Sequence, residues 1–183
     1  QETISDHFTR IADASEVAFM LYNIPQNTHN AMELSTILSL AEHPNIVGIK
    51  DSSGAFAPFS RGMLTPMKND FAWIQGEDLL DAASLLFGGP GLVTGLGNVW
   101  IEPYVEMYRA ARAGEGEKVK EQQRQINSLA RIITLAGGAV IPAIKMAAEL
   151  RGRGSSRMRI PGDTLKPKFR EPIEGVLREL DIL

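Results

Sequence analysis

The chain has 183 residues, of which 44% are hydrophobic and 22% charged, and its formal net charge is −3. This is the composition of a globular fold, with no basic footprint for nucleic acid or an anionic membrane surface. There is no cysteine, which excludes disulfides, thiolate catalysis and cysteine metal sites. His7, His29 and His43 are too scattered for a metal cluster, and no apolar run reaches membrane-spanning length or has signal-peptide form.

Ile4, Phe8, Ile11 and Ala12 follow helical spacing and predict a helix over the first fifteen residues. Val17 to Asn23 is an apolar run rich in β-formers that ends at Ile24-Pro25, as a buried strand would. Its period of two sets Ala18, Met20 and Tyr22 on one face and Val17, Phe19 and Leu21 on the other. Ser35 to Glu42 reads as a helix. The next strand, Asn45 to Lys50, ends in an amine and passes into the turn Asp51-Ser52-Ser53-Gly54. Strict alternation puts Ile46, Gly48 and Lys50 on one face and Val47 and Ile49 on the other, with empty space at Gly48 below Lys50. A lysine buried there has a lowered pKa, and its neutral amine can attack a ketone.

Phe59 to Met67 is a weakly marked helix, and Phe71 to Gln75 a third strand that turns at Gly76. Asp78 to Phe87 reads as a helix capped by Asp78, broken by Gly88-Gly89-Pro90-Gly91. Leu92 to Thr94 reads as a fourth, short strand. The alternation predicts a parallel sheet with helices outside it. Beyond Pro103 the pattern is all helical. Val105, Tyr108 and Ala111 form one predicted stripe, and Val119, Ile126, Leu129, Ala130 and Ile133 a longer one. Pro142 to Leu150 and Pro172 to Asp181 read as further helices, separated by a turn or flexible segment at Arg151-Gly152-Arg153-Gly154.

If the first two strands are parallel neighbours, Tyr22 and Lys50 stand side by side, about 4.8 Å apart in the hydrogen-bonding direction. They then lie at the C-terminal rim, where α/β barrels carry their chemistry. A phenol beside a Schiff-base amine can give and take the protons of imine formation and of C–C cleavage.

Tyr22-Asn23-Ile24-Pro25, Gly48-Ile49-Lys50-Asp51-Ser52-Ser53-Gly54, Gln75-Gly76, the Gly88-Gly89-x-Gly91 run and Asn98 after Thr94-Gly95-Leu96-Gly97 together resemble the family of dihydrodipicolinate synthase and N-acetylneuraminate lyase. The resemblance covers the whole chain. It implies a (β/α)8 TIM barrel, of which residues 1–113 would be the C-terminal half and residues 114–183 a helical extension. It also implies a cytoplasmic class I lyase acting on 2-oxo acids, with no metal and no organic cofactor. The enzyme would be a homo-oligomer, a dimer or a tetramer, with no nucleic-acid or membrane partner.

By position, Lys50 would be the Schiff-base lysine and Tyr22 the proton-transfer tyrosine. Ser52 would contact substrate hydroxyls, and Gly76 and Val93 would line the pocket with backbone groups. Asn27 stands where the synthases carry an arginine for a substrate carboxylate. Leu79 and Gly95 replace the glutamate and serine of the sialic acid lyases. Pro25-Gln26-Asn27-Thr28 looks like the P-x-N-T of 4-hydroxy-2-oxoglutarate aldolases, although His29 stands where many members have glycine. Pyruvate-releasing aldol cleavage is therefore the leading expectation. Dihydrodipicolinate synthesis comes next, and a catalytically silent assembly module last. The family's paired threonines and its second relay tyrosine are not in this sequence, so the chain is expected to be either a fragment of a longer enzyme or one part of a two-chain protein.

Overall fold

The structure, a computed structural model, describes residues 1–183. The chain divides into two compact units, Gln1–Val93 and Thr94–Leu183.

The first unit runs α1 (Glu2–Ala14), β1 (Phe19–Asn23), α2 (Pro25–Thr28), α3 (Leu34–Leu40), β2 (Ile46–Asp51), α4 (Phe56–Leu64) and β3 (Ala72–Gln75). A 3-10 turn over Asp78–Leu80 then leads into α5 (Asp81–Leu86). The strands form a parallel sheet in the order β1-β2-β3. The expected fourth strand is reduced to one bridge, Gln75 with Leu92. Glycines at 91 and 95 confine that run to three residues, too few to extend a ladder.

The faces of β2 depart from strict alternation. Phe19 pairs with Ile46 and Met20 with Gly48, so the register slips by one at Val47. A bulge of this kind turns the residue before it to the other side. Ile46 thereby joins Ile49 and Leu21 in the core, while Val47 is 38% exposed. Nor is the space at Gly48 empty. A Cβ there would fall 2.8 Å from the Met20 methyl and 2.6 Å from the Ala72 carbonyl oxygen. Gly62 breaks the pattern of α4 for a similar reason, since a Cβ would sit 2.2 Å from the indole of Trp73 on β3. Each glycine trades helix or strand propensity for close packing.

Asp78 does not cap an α-helix. It begins the 3-10 turn, and α5 starts one turn later at Asp81. Asp81 is 1% exposed, and its Oδ2 has no hydrogen-bond partner. Burial first, then the charges of Asp78 and Glu77, push its carboxyl up to about 9. In the unfolded chain an aspartate titrates near pH ~4. Between these values the folded chain holds a proton that the unfolded chain has lost. Stability is therefore full below about pH 4 and falls as pH rises toward about 9. Asp81→Asn removes this titration. Calorimetry from about pH 5 to 9 is expected to show the parent's midpoint declining more steeply than the variant's.

The second unit contains α6 (Glu102–Arg112), α7 (Gly116–Leu135), α8 (Val140–Leu150) and α9 (Arg170–Glu179), preceded by a 3-10 turn at Leu96–Asn98. The buried side of α6 is Tyr104, Met107 and Ala110, not Val105, Tyr108 and Ala111. Both sets have helical spacing and both are apolar, so periodicity alone leaves a rotation of one residue open. On α7, Val119, Ile126 and Leu129 are buried as expected. Ile132 replaces Ile133 on that side, and Ala130 and Ile133 are half-buried. After α8, Gly152 and Gly154 take positive φ. They fold the chain back so that the guanidiniums of Arg151 and Arg153 donate to the Val99 carbonyl. No single helix is long and apolar enough to cross a membrane.

Candidate active site

Two apolar strands end in polar pairs, and their register decides what meets. Tyr22 pairs with Lys50, and Asn23 with Asp51. The Lys50 Nζ donates to the Tyr22 hydroxyl at 3.3 Å and lies 4.4 Å from the ring centroid. Lys50 is half-buried and Tyr22 is 44% exposed. Both stand on the side of the sheet opposite the apolar core, to which Leu21 and Ile49 belong.

The next strand confines the lysine. Gly76 follows β3, and its amide donates to the Asp51 carbonyl at 2.9 Å. A Cβ at this position would lie 2.7 Å from the Lys50 Cε and 2.3 Å from the Ser52 Oγ. The lysine stem runs against the backbone here, so a side chain at this position would have to displace Lys50 or Ser52. Ser52 is buried, and its hydroxyl donates to the Gly76 carbonyl at 3.0 Å. Gly76 thus stands against both the Lys50 stem and the Ser52 hydroxyl, with Tyr22 on the lysine's other side. The Val93 amide donates to the Gln75 carbonyl at 2.9 Å, which holds Val93 beside the end of β3 with its side chain exposed. Asn27 lies on the exposed turn α2, and its amide donates to the Ile24 carbonyl. No contact joins Asn27 to the lysine.

Strand reading did not single out four residues that hold this arrangement. Gln26 donates from Nε2 to the Ser52 carbonyl at 2.8 Å and ties α2 to the end of β2. Gln75 accepts the amides of Gly76 and Glu77 on its Oε1, at 3.0 Å each, and fixes the turn. Asn23 and Asp51 are buried and hydrogen-bonded to each other. The signal was present for these two, since each directly follows a site residue at a strand end.

His29 closes α2 with φ 55°, a left-handed conformation that glycine adopts freely and histidine does not. His29→Gly is expected to stabilise the fold by about 0.5–1 kcal/mol, the residual of a left-handed cost partly offset by glycine's freedom when unfolded. Denaturant titration measures it.

A family model described as the dihydrodipicolinate synthetase family matches residues 1–180. The chain belongs to that family. Among curated family proteins, it is 33% identical over 175 residues to a 4-hydroxy-tetrahydrodipicolinate synthase of Methanospirillum hungatei. It is 34% identical over 177 residues to the one of Methanosarcina barkeri. These alignments cover 96% and 97% of this chain but 59% and 60% of the relatives, so the chain spans about three-fifths of their length. Among solved structures, the dihydrodipicolinate synthase of Acinetobacter baumannii complexed with pyruvate superposes with a TM-score of 0.89 at 27% identity. That match covers 100% of this chain and 62% of the other. Within the family fold, the chain corresponds to part of the (β/α)8 barrel together with the C-terminal helices.

Proposed function

We propose that the protein carrying this chain is a Schiff-base lyase that makes or breaks a carbon–carbon bond next to pyruvate. Lys50 would be the imine-forming residue and Tyr22 the proton carrier. The observation that supports this most is the 3.3 Å hydrogen bond between the Lys50 amine and the Tyr22 phenol, at the C-terminal ends of adjacent parallel strands. The neutral amine attacks C2 of the 2-oxo acid, and the carbonyl oxygen leaves as water after protonation from the Tyr22 side. Loss of a C3 proton from the protonated imine gives an enamine. The enamine carbon attacks an aldehyde carbon, whose oxygen takes up a proton, and water then releases the lysine. The reverse sequence is aldol cleavage. The protonated imine is the electron sink, so the chemistry requires neither metal nor organic cofactor. The Ser52 hydroxyl and the backbone at Gly76 and Val93 would line the substrate.

Condensation leads over cleavage, which reverses the order drawn from the sequence. The curated relatives named above share the synthase name, and that supports pyruvate plus aspartate semialdehyde as the substrates. Cleavage of a hydroxylated 2-oxo acid remains the second reading because of Asn27. A neutral amide cannot replace the bidentate, charge-assisted grip of an arginine on a carboxylate. Side-by-side assays decide between them. Faster condensation than pyruvate release supports the synthase, and the opposite order makes Asn27 decisive. The same reading places the protein in the cytoplasm as a homo-dimer or tetramer, with residues 1–113 in the barrel and 114–183 in the extension.

A further inference from the structure

We infer that the buried Asn23–Asp51 pair is the positioning element that holds Tyr22 opposite Lys50. This rests on the reading of Lys50 as the imine-forming residue.

Asn23 is 4% exposed and Asp51 5%, and buried Gln75 is paired with Asp51 on the next strand. The Asn23 Nδ2 donates to the Asp51 Oδ1 at 3.1 Å. The same oxygen accepts the Ser53 amide at 2.9 Å, and the Asn23 Oδ1 accepts the Met32 amide at 3.1 Å. The Ser52 amide closes the arrangement by donating to the Asn23 carbonyl at 2.8 Å.

Backbone bonds of a parallel ladder are the same at every register, so they do not choose one. The slip between Phe19 and Met20 shows that the register of these two strands is not uniform along their length. Four pairs later the register ends on Asn23–Asp51, directly after Tyr22–Lys50. A shift by one residue there would separate the pair and leave a carboxylate in the core without its amide donor, a costly burial. It would also move Tyr22 off Lys50. The polar pair therefore penalises the wrong register at the one place where register sets the distance between amine and phenol.

The test uses the full-length protein and reads borohydride trapping of pyruvate on Lys50, with kcat, KM and thermal midpoint alongside. Asn23→Asp sets two carboxylates face to face. Its trapping rate and kcat should fall about 10²-fold at pH ~8, the cost of a small misplacement of reacting groups, with KM for pyruvate little changed. Relative to the parent, the loss should shrink toward pH ~5, where one proton can bridge the two carboxylates. Asn23→Asp with Asp51→Asn restores an amide–carboxylate contact and should recover at least about tenfold. Asn23→Ala removes the amide donor without adding a charge and should lose at least about tenfold in trapping rate, and it serves as the readout if Asn23→Asp does not fold.

A folded Asn23→Asp protein that traps at the parental rate overturns the inference. So does a loss that is the same at every pH and is not relieved in the double variant. Parental trapping in folded Asn23→Ala overturns it too. A parent that traps nothing on Lys50 overturns the Schiff-base reading itself, and this inference with it.

Discussion

Lys50→Arg is expected to abolish turnover in the full-length protein, a loss of at least about 10³-fold, and to leave no borohydride-stable pyruvate adduct. The guanidinium stays protonated and has no lone pair to offer a ketone. It also spreads its charge over a plane, whereas the Lys50 amine meets the Tyr22 hydroxyl as a single donor. The fold should persist, because Lys50 is half-buried on the side of the sheet away from the core. Peptide mapping after reduction decides the assignment. Lys145 is the useful control, since it too is half-buried but donates its amine to the Arg157 carbonyl in the second unit. An adduct on Lys145, or turnover retained in Lys50→Arg, would remove Lys50 from the chemistry.

Tyr22→Phe is expected to keep pyruvate binding and lose about 10²–10⁴-fold in kcat, the usual contribution of a general acid–base group. The hydroxyl accepts from the amine at 3.3 Å, and its removal leaves the ring beneath Nζ in place. The ring is 44% exposed, so stability should change by no more than about 0.5 kcal/mol. Stopped-flow trapping separates the steps. Slow imine formation with normal pyruvate affinity marks a proton-transfer role. A kcat within a few-fold of the parent would reduce Tyr22 to a packing residue.

The meeting of these two side chains was legible because each strand announces its own end. An apolar run stops at Tyr22-Asn23 and another at Lys50-Asp51, and parallel pairing aligns the ends. What alternation could not reveal was the slip at Val47. It depends on which residues face each other across two strands, not on either strand alone. The same holds for the space at Gly48. The sequence shows a missing side chain, but that Met20 turns its methyl into the gap is a matter of neighbours. On α6 the ambiguity lay within one element, where two apolar stripes one residue apart compete and only packing chooses. Asp81 gave no sign of its burial, since an aspartate near a helix start ordinarily reads as a solvated first turn. Among the candidate site residues, Gly76 packs against the lysine stem and bonds Ser52, whereas Asn27 was marked by its identity in a motif and has no contact with the lysine.

The fit of Gly76 against the Lys50 stem bears on entropy. A free lysine side chain samples many rotamers, and fixing it costs about 2 kcal/mol. Here the stem lies along a backbone with no Cβ, with the Tyr22 ring on its other side. Much of that freedom is given up when the chain folds. An amine already aimed has less left to lose when a ketone arrives, so the ordering cost falls on the fold and not on each catalytic cycle.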